Sequence, residues 1–331
     1  MEVINGVHQI KVPFPKGFSG STNAYVIAGE KGNILIDSGW DTPETLWAFR
    51  EGLKAENLKF QDIKTIIITH IHPDHYGLAG KIKQLCGAKV AMHRAEAELI
   101  DSRYKDFAEL IERVEDELKS NGVPQEELLD LKNASLWMRD FVTFEQPDIM
   151  LNDGDSVGNG SFKLQVIRTP GHSPGHICLY ESRRRLLFSG DHVLYETNPV
   201  VGCNPQSGDN PLGDYLSSLQ KLKDFKISFV FPGHGPTFNG LGLRVDRIIS
   251  LHDERKKELM RFLESGLKTA YQIAQETTWE ADGGGVTFDS LNSWDKRLAV
   301  MKTIASLKLL ASEGSAGSVE MNAVFFYVST K

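Results

Sequence analysis

Six consecutive residues, His70-Ile71-His72-Pro73-Asp74-His75, bring three imidazoles and a carboxylate together at the end of an apolar run, Thr65-Ile66-Ile67-Ile68. Such a run predicts a strand over 63–69. In extended chain, side chains two apart point the same way, so His70 and His72 can reach one point. Pro73 can open a helix, which would carry Asp74 and His75. Neighbouring helical side chains diverge by about 100°, so the four groups cannot all converge on one ion. The spacing therefore predicts two incomplete half-sites, one built on His70 and His72, the other on Asp74 and His75.

Groups that could complete them recur downstream, each after a strand-like run. His172 lies in Pro170-Gly171-His172-Ser173-Pro174-Gly175, Asp191 follows Ser189-Gly190, and His234 sits in Pro232-Gly233-His234-Gly235-Pro236. Ends of strands are where open α/β sheets gather their sites. Asp191, with two carboxylate oxygens, is the natural bridge between two ions. Five imidazoles and two carboxylates suit zinc, with iron or manganese as alternatives, rather than the all-oxygen shells of calcium or magnesium. Asp37, at a strand end before Ser38-Gly39, is expected to orient a ligand histidine. His176 and His192 are expected behind the ligands rather than among them.

The pattern alternates strand and helix up to about residue 93, which predicts an α/β class. Strands are expected at Tyr25–Ile27, Asn33–Ile36 and 88–92, with helices after Pro43 and over 77–85. Residues 94–146 read as a helical insertion without ligand-type motifs, broken at Asn121-Gly122-Val123-Pro124 and resuming over 128–144. An insertion there could cover a site. Strands return from Phe162. Residues 1–240 are thus expected to form the catalytic domain. Residues 241–331 form a second unit, whose order (helix, helix, a glycine-rich break at Gly283-Gly284-Gly285, helix, strand) outlines a winged helix.

The 331 residues carry 37 basic against 44 acidic side chains, a net charge of −7, which favours neither nucleic acid nor anionic membranes. No apolar run approaches the length of a membrane span, and the N-terminus lacks the basic and apolar regions of a signal peptide. Cys86, Cys178 and Cys203 form no C-x-x-C pair, which suggests a reducing, cytoplasmic setting.

These residues resemble the metallo-β-lactamase superfamily. Its H-x-H-x-D-H signature matches His70–His75, its later histidine, bridging aspartate and final histidine match His172, Asp191 and His234, and its early Asp-Ser-Gly matches Asp37-Ser38-Gly39. The resemblance spans roughly 20–240. It implies a four-layer αββα sandwich with two divalent ions at one edge between the sheets. The seven-ligand set is similar to that of glyoxalase II and its hydrolase relatives. Antibiotic-cleaving members usually carry cysteine at the place of Asp191, and the flavodiiron branch usually has glutamate at that of His72. The implied reaction is hydrolysis of a small ester, thioester or lactone by a metal-held hydroxide, with Asp74 also orienting the nucleophile. Some relatives with a winged-helix-like tail cleave single-stranded RNA, so a phosphodiesterase or endoribonuclease is the alternative. Residues 266–331 hold six basic and seven acidic side chains, which does not favour it. A third class, an iron-dependent persulfide dioxygenase, would use ligands of the His70, His72 and Asp191 type and leave Asp74, His75 and His234 without a purpose. A small-molecule substrate is expected, with a homodimer left open.

Overall fold

The computed structural model describes residues 1–281 and 284–330. Two sheets carry the chain. The first runs in strict order β1 (Glu2–Ile4), β2 (Val7–Pro13), β3 (Ser21–Ile27), β4 (Asn33–Ile36), β5 (Ile63–Ile68), β6 (Lys89–His93) and β7 (Ile149–Leu151). The second has the order β12 (Phe229–Pro232), β11 (Leu186–Gly190), β10 (Ile177–Glu181), β9 (Lys163–Arg168) and β8 (Ser156–Gly158). β4 through β7 pair in parallel, and β11 pairs in parallel with β12. β4 and β11, each with a parallel partner, are covered on both faces and buried throughout, and so is the antiparallel β10 that lies inside the second sheet between β9 and β11.

Three apolar cores define the layers. Between the sheets lie Tyr25, Ile36, Ile67, Val166, Leu179, Phe188 and Phe231. On the outer face of the first sheet, Phe49 and Leu53 of α1 (Pro43–Ala55) and Ile82 of α3 (Ala79–Cys86) pack on Val26, Leu35, Ile66 and Ile68. Thr42 caps α1 by accepting from the Thr45 N–H, with Pro43 in the first turn. On the outer face of the second sheet, Ile167, Cys178 and Leu187 meet Leu219 and Leu222 of α7 (Pro211–Lys223) and Val245 and Ile248 of α8 (Leu241–Glu264). The result is helix, sheet, sheet, helix, as the resemblance implies.

Residues 94–146 contain α4 (Arg94–Ala97), a π-helical turn (Asp101–Lys105), α5 (Phe107–Ser120), α6 (Gln125–Asn133) and a 3-10 turn (Leu136–Phe141). A single helix over 128–144 does not form. α6 ends at Asn133, where Arg297 donates to the Lys132 carbonyl, which a continuing helix would use, and to Ser135 Oγ. The short strands β7 and β8 have only three residues each, too few to show alternation in sequence.

Beyond α8 come α9 (Ala270–Glu276), the hairpin β13 (Trp279–Ala281) with β14 (Gly284–Val286), α10 (Ser293–Ser312) and the hairpin β15 (Ala316–Met321) with β16 (Val324–Ser329). Gly283 of the expected glycine-rich break lies outside the described residues. This tail shares one apolar core with the insertion and the second sheet: Val114 and Leu118 of α5 and Leu131 of α6 join Val300, Ile304 and Leu307 of α10. α10 is buried along most of its length although it carries Asp295, Lys296, Arg297, Lys302 and Lys308. Among the described residues no helix is long and apolar enough to cross a membrane.

Candidate metal centre

The seven predicted ligands meet at one edge of the sandwich, where strands of both sheets end. β5 delivers His70 and His72 in the following loop, and the single turn α2 (Pro73–Tyr76) delivers Asp74 and His75. His172 follows β9, Asp191 follows β11 and His234 follows β12.

They fall into two groups. In the first, His70 Nε2 stands 3.0 Å from His72 Nδ1, and His172 Nε2 stands 3.2 Å and 2.9 Å from those two atoms. Tetrahedral zinc with bonds of about 2.0–2.1 Å puts its nitrogens roughly 3.3–3.4 Å apart, close to this triangle. In the second, His75 Nε2 is 3.3 Å from His234 Nε2, 3.5 Å from Asp74 Oδ2 and 3.3 Å from Asp191 Oδ1. His234 Nε2 is 3.1 Å from Asp74 Oδ2. Asp191 Oδ2 lies 3.4 Å from His234 Nε2 and 3.8 Å from His172 Nε2, between the groups.

The surrounding hydrogen bonds fix which nitrogen of each ring is bare. His172 Nδ1 meets the Val200 carbonyl at 2.6 Å and His234 Nδ1 the Ser21 carbonyl at 2.9 Å. Carbonyls only accept, so Nδ1 carries a proton in both rings and Nε2 is the nitrogen left to face the centre. His75 Nδ1 donates to Asp37 Oδ2 at 2.8 Å. Thr69 Oγ1 donates to the same oxygen at 2.9 Å, which leaves its lone pairs to accept from His70 Nδ1 at 3.0 Å. The Thr69 N–H adds a bond to Asp37 Oδ1 at 2.8 Å. Asp37 thus holds one histidine of each group, His75 directly and His70 through Thr69, from a backbone at φ 58°.

Two further observations fit a cation here. Asp191 Oδ1 is buried and has no hydrogen-bond partner, a costly arrangement for a carboxylate oxygen with nothing to coordinate. Gly233 leaves room around it, since a Cβ there would lie 2.4 Å from Asp191 Oδ1 and 2.7 Å from His75 Cε1.

Charge divides the groups as well. Burial holds His70, His72 and His172 below their ordinary pKa, so they are neutral and ready to ligate. Burial also acts to lower His75 and His234, but the carboxylates outweigh it: Asp191, Asp74 and Asp37 raise His75, and Asp191 and Asp74 raise His234 to about 10. Without metal, the second group therefore keeps protons at neutral pH that an entering ion displaces. Zinc added to metal-free protein at pH 7 in weak buffer should release protons, and affinity at this group should rise with pH toward about 10. Calorimetry in buffers of different ionisation enthalpy measures the release; none at all would contradict this charge assignment.

A family model described as Metallo-beta-lactamase superfamily matches residues 18–234. This chain belongs to the metallo-beta-lactamase superfamily. It is a metal-dependent hydrolase, and members of the superfamily bind divalent metals. Across 327 residues it is 28% identical to the probable metallo-hydrolase YqjP of Bacillus subtilis, covering 96% of both chains. It is 30% identical over 228 residues to the human protein named acyl-coenzyme A thioesterase MBLAC2, covering 65% of this chain and 74% of that one. A metallo-beta-lactamase family protein of Thermus thermophilus superposes with a TM-score of 0.82 at 28% identity, over 99% of this chain and all of that one. That likeness takes in the tail as well as the sandwich.

The supporting residues divide. His176 is fully buried, and its Nε2 accepts from the Asp191 backbone N–H at 3.1 Å while Nδ1 meets Thr169 Oγ1 at 2.9 Å. It therefore places Asp191 through its backbone. His192, expected in a similar role, makes no side-chain hydrogen bond to a ligand; its ring packs between His176 and Tyr215.

Glu96 was not legible as a site residue. It is fully buried on α4, accepting from the Ile71 N–H (2.7 Å) and the Gly175 N–H (2.6 Å). One carboxylate thus pins the loop of His70 and His72 to the loop of His172. Its only trace in sequence is an acid four residues before the buried Ile100, on an apolar stripe. From β3 of the first sheet, Asn23 Nδ2 and the Tyr25 hydroxyl donate to the Pro232 carbonyl at the end of β12 and steady the His234 loop.

Proposed function

We propose that this chain hydrolyses a small acyl compound, an ester, thioester or lactone, at a dinuclear centre. His70, His72 and His172 would hold one ion and Asp74, His75 and His234 the other, with Asp191 placed to serve both, a set akin to that of glyoxalase II-type hydrolases. Zinc is the metal that the donors favour. When bound, such ions supply Lewis acidity and lower the pKa of water toward neutrality. Asp74 borders the open side of the centre and can accept a hydrogen bond from the attacking water, fixing its approach.

The observation that carries the reading is a cavity of about 500 Å³ over the centre. His72, Asp74, His172 and Asp191 form its floor, and its walls are mainly apolar, with Phe14, Trp40, Phe107, Leu110, Trp137 and Met301 among them. The insertion and α10 close it, so the acyl chain lies out of water beside the ligands. The similarity to a protein named as an acyl-coenzyme A thioesterase supports a thioester in particular.

The RNA reading finds less support. The tail has the helix order of a winged helix, but α10, its third helix, packs on α6, α7 and α9 and walls the cavity instead of standing free for a groove.

With metal-loaded protein, kcat/KM on a series of unbranched acyl thioesters should rise about threefold to fourfold per methylene until the cavity is full, following about 0.8 kcal/mol per buried CH₂. An Asp191→Ala control excludes contaminating activity. No turnover of any acyl compound, or Asp191-dependent cleavage of single-stranded RNA, would overturn the reading.

A further inference from the structure

The apolar cavity holds positive charge that the hydrolytic centre does not explain. Arg103 of the insertion and Arg297 of α10 both line it. Arg297 is 7% exposed, and its Nε is buried with no hydrogen-bond partner. Its Nη1 donates to Ser135 Oγ at 2.9 Å and to the Lys132 carbonyl at 3.3 Å, which fixes the plane of the guanidinium. Arg103 is held through Nε to Gln206 Oε1 at 2.8 Å, leaving its terminal nitrogens without a protein partner. Among the described residues no carboxylate oxygen lies within 4.0 Å of either guanidinium.

A buried cation without a counter-charge is costly, and two that repel one another are more so. Burial and then the charge of Arg103 bring the Arg297 pKa down to about 10, with Glu117 acting weakly the other way. An ordinary helix-tying contact would not need a guanidinium at Arg297, because a neutral amide can donate to a carbonyl and a hydroxyl. A planar fork of N–H donors facing a cavity matches a carboxylate or a phosphate.

We propose that Arg297 and Arg103 form a subsite for an anionic group on the substrate, so that the enzyme acts on acyl compounds carrying a carboxylate or phosphate as well as the scissile bond. The apolar walls take the chain between, the ions take the acyl end, and the guanidiniums take the charged end.

For its reaction the proposal rests on the acyl-hydrolase reading, but its binding test does not. Calorimetry on metal-loaded protein compares hexanoate, adipate and 6-phosphonohexanoate, which share one carboxylate and one chain length. Adipate, the phosphono acid or both should bind at least tenfold more tightly than hexanoate, and the preference between them names the anion. Arg297→Gln and Arg103→Gln should each remove most of that advantage, and Arg297→Lys should retain part of it. Since Arg297 also ties α10 to α6, the less buried Arg103 supplies the variant that keeps the test decisive if Arg297→Gln misfolds. Equal affinity for all three acids, or an advantage untouched in Arg103→Gln, would overturn the proposal. Turnover of neutral thioesters alongside equal binding would sink the subsite and leave the hydrolase standing; tight anion binding without any acyl turnover would do the reverse.

Discussion

Asp191→Ala should empty the centre of metal and abolish turnover while the chain stays folded. Removal of a residue that only orients a ligand already costs about 10–100-fold in metal affinity, so loss of a carboxylate standing between both groups should cost more than about 100-fold. The fold survives for a local reason. Truncation takes one carboxylate from beside His75 and His234, but His234 keeps Asp74 Oδ2 at 3.1 Å and the residue's backbone N–H stays bonded to His176 Nε2. His75 retains Asp37 and Asp74 as partners. Asp191→Asn separates charge from shape: it fills the same space with half the acceptor capacity and should also lose metal. Elemental analysis beside circular dichroism checks both variants. Full metal content in Asp191→Ala would remove this residue from the ligand set.

Glu96→Gln should destabilise the fold and loosen the three-histidine group together. Both oxygens of Glu96 accept backbone N–H groups. Glutamine offers one acceptor and would turn an NH₂ toward the second N–H, leaving a buried donor unpaired. Hydrogen bonds to charged groups are worth about 1.5–3 kcal/mol and an orphaned donor costs about 1–3, so a loss of roughly 2–4 kcal/mol is expected. Ile71 lies between His70 and His72, and Gly175 lies three residues past His172, so zinc affinity at this group should fall about tenfold or more. Thermal unfolding with and without metal, and competition against a chelator, measure the two effects. A variant with the parent's Tm and zinc affinity would show that the two loops hold without the carboxylate.

The ligands were legible in sequence because ligation restricts both residue type and backbone. Imidazoles and carboxylates had to stand at strand ends, and His172, Asp191 and His234 stand next to prolines and glycines that hold or make room for them. The division into two groups followed from the turn that Pro73 starts. Glu96 was not legible because it serves main-chain donors, which leave no residue-type signature. His192 shows the reverse error: a histidine beside a ligand, in a site crowded with them, whose ring packs instead of supporting. The tail's three helices and its last strand could be read from periodicity, since they are local, whereas the short hairpin β13–β14 and strand β15 could not. That α10 would wall a cavity over residues more than a hundred positions earlier could not be read. Arg297 shows why long-range placement matters most for function: in sequence it is one of six basic residues in a tail of balanced charge, and only the fold sets it inside an apolar cavity.

The central claim is a centre of two ions held by seven side chains. Elemental analysis of wild-type protein, stripped with chelator, reloaded with zinc and dialysed free of excess, tests it most directly. Two zinc ions per chain is the predicted result; a single tightly held ion, or none, would contradict it.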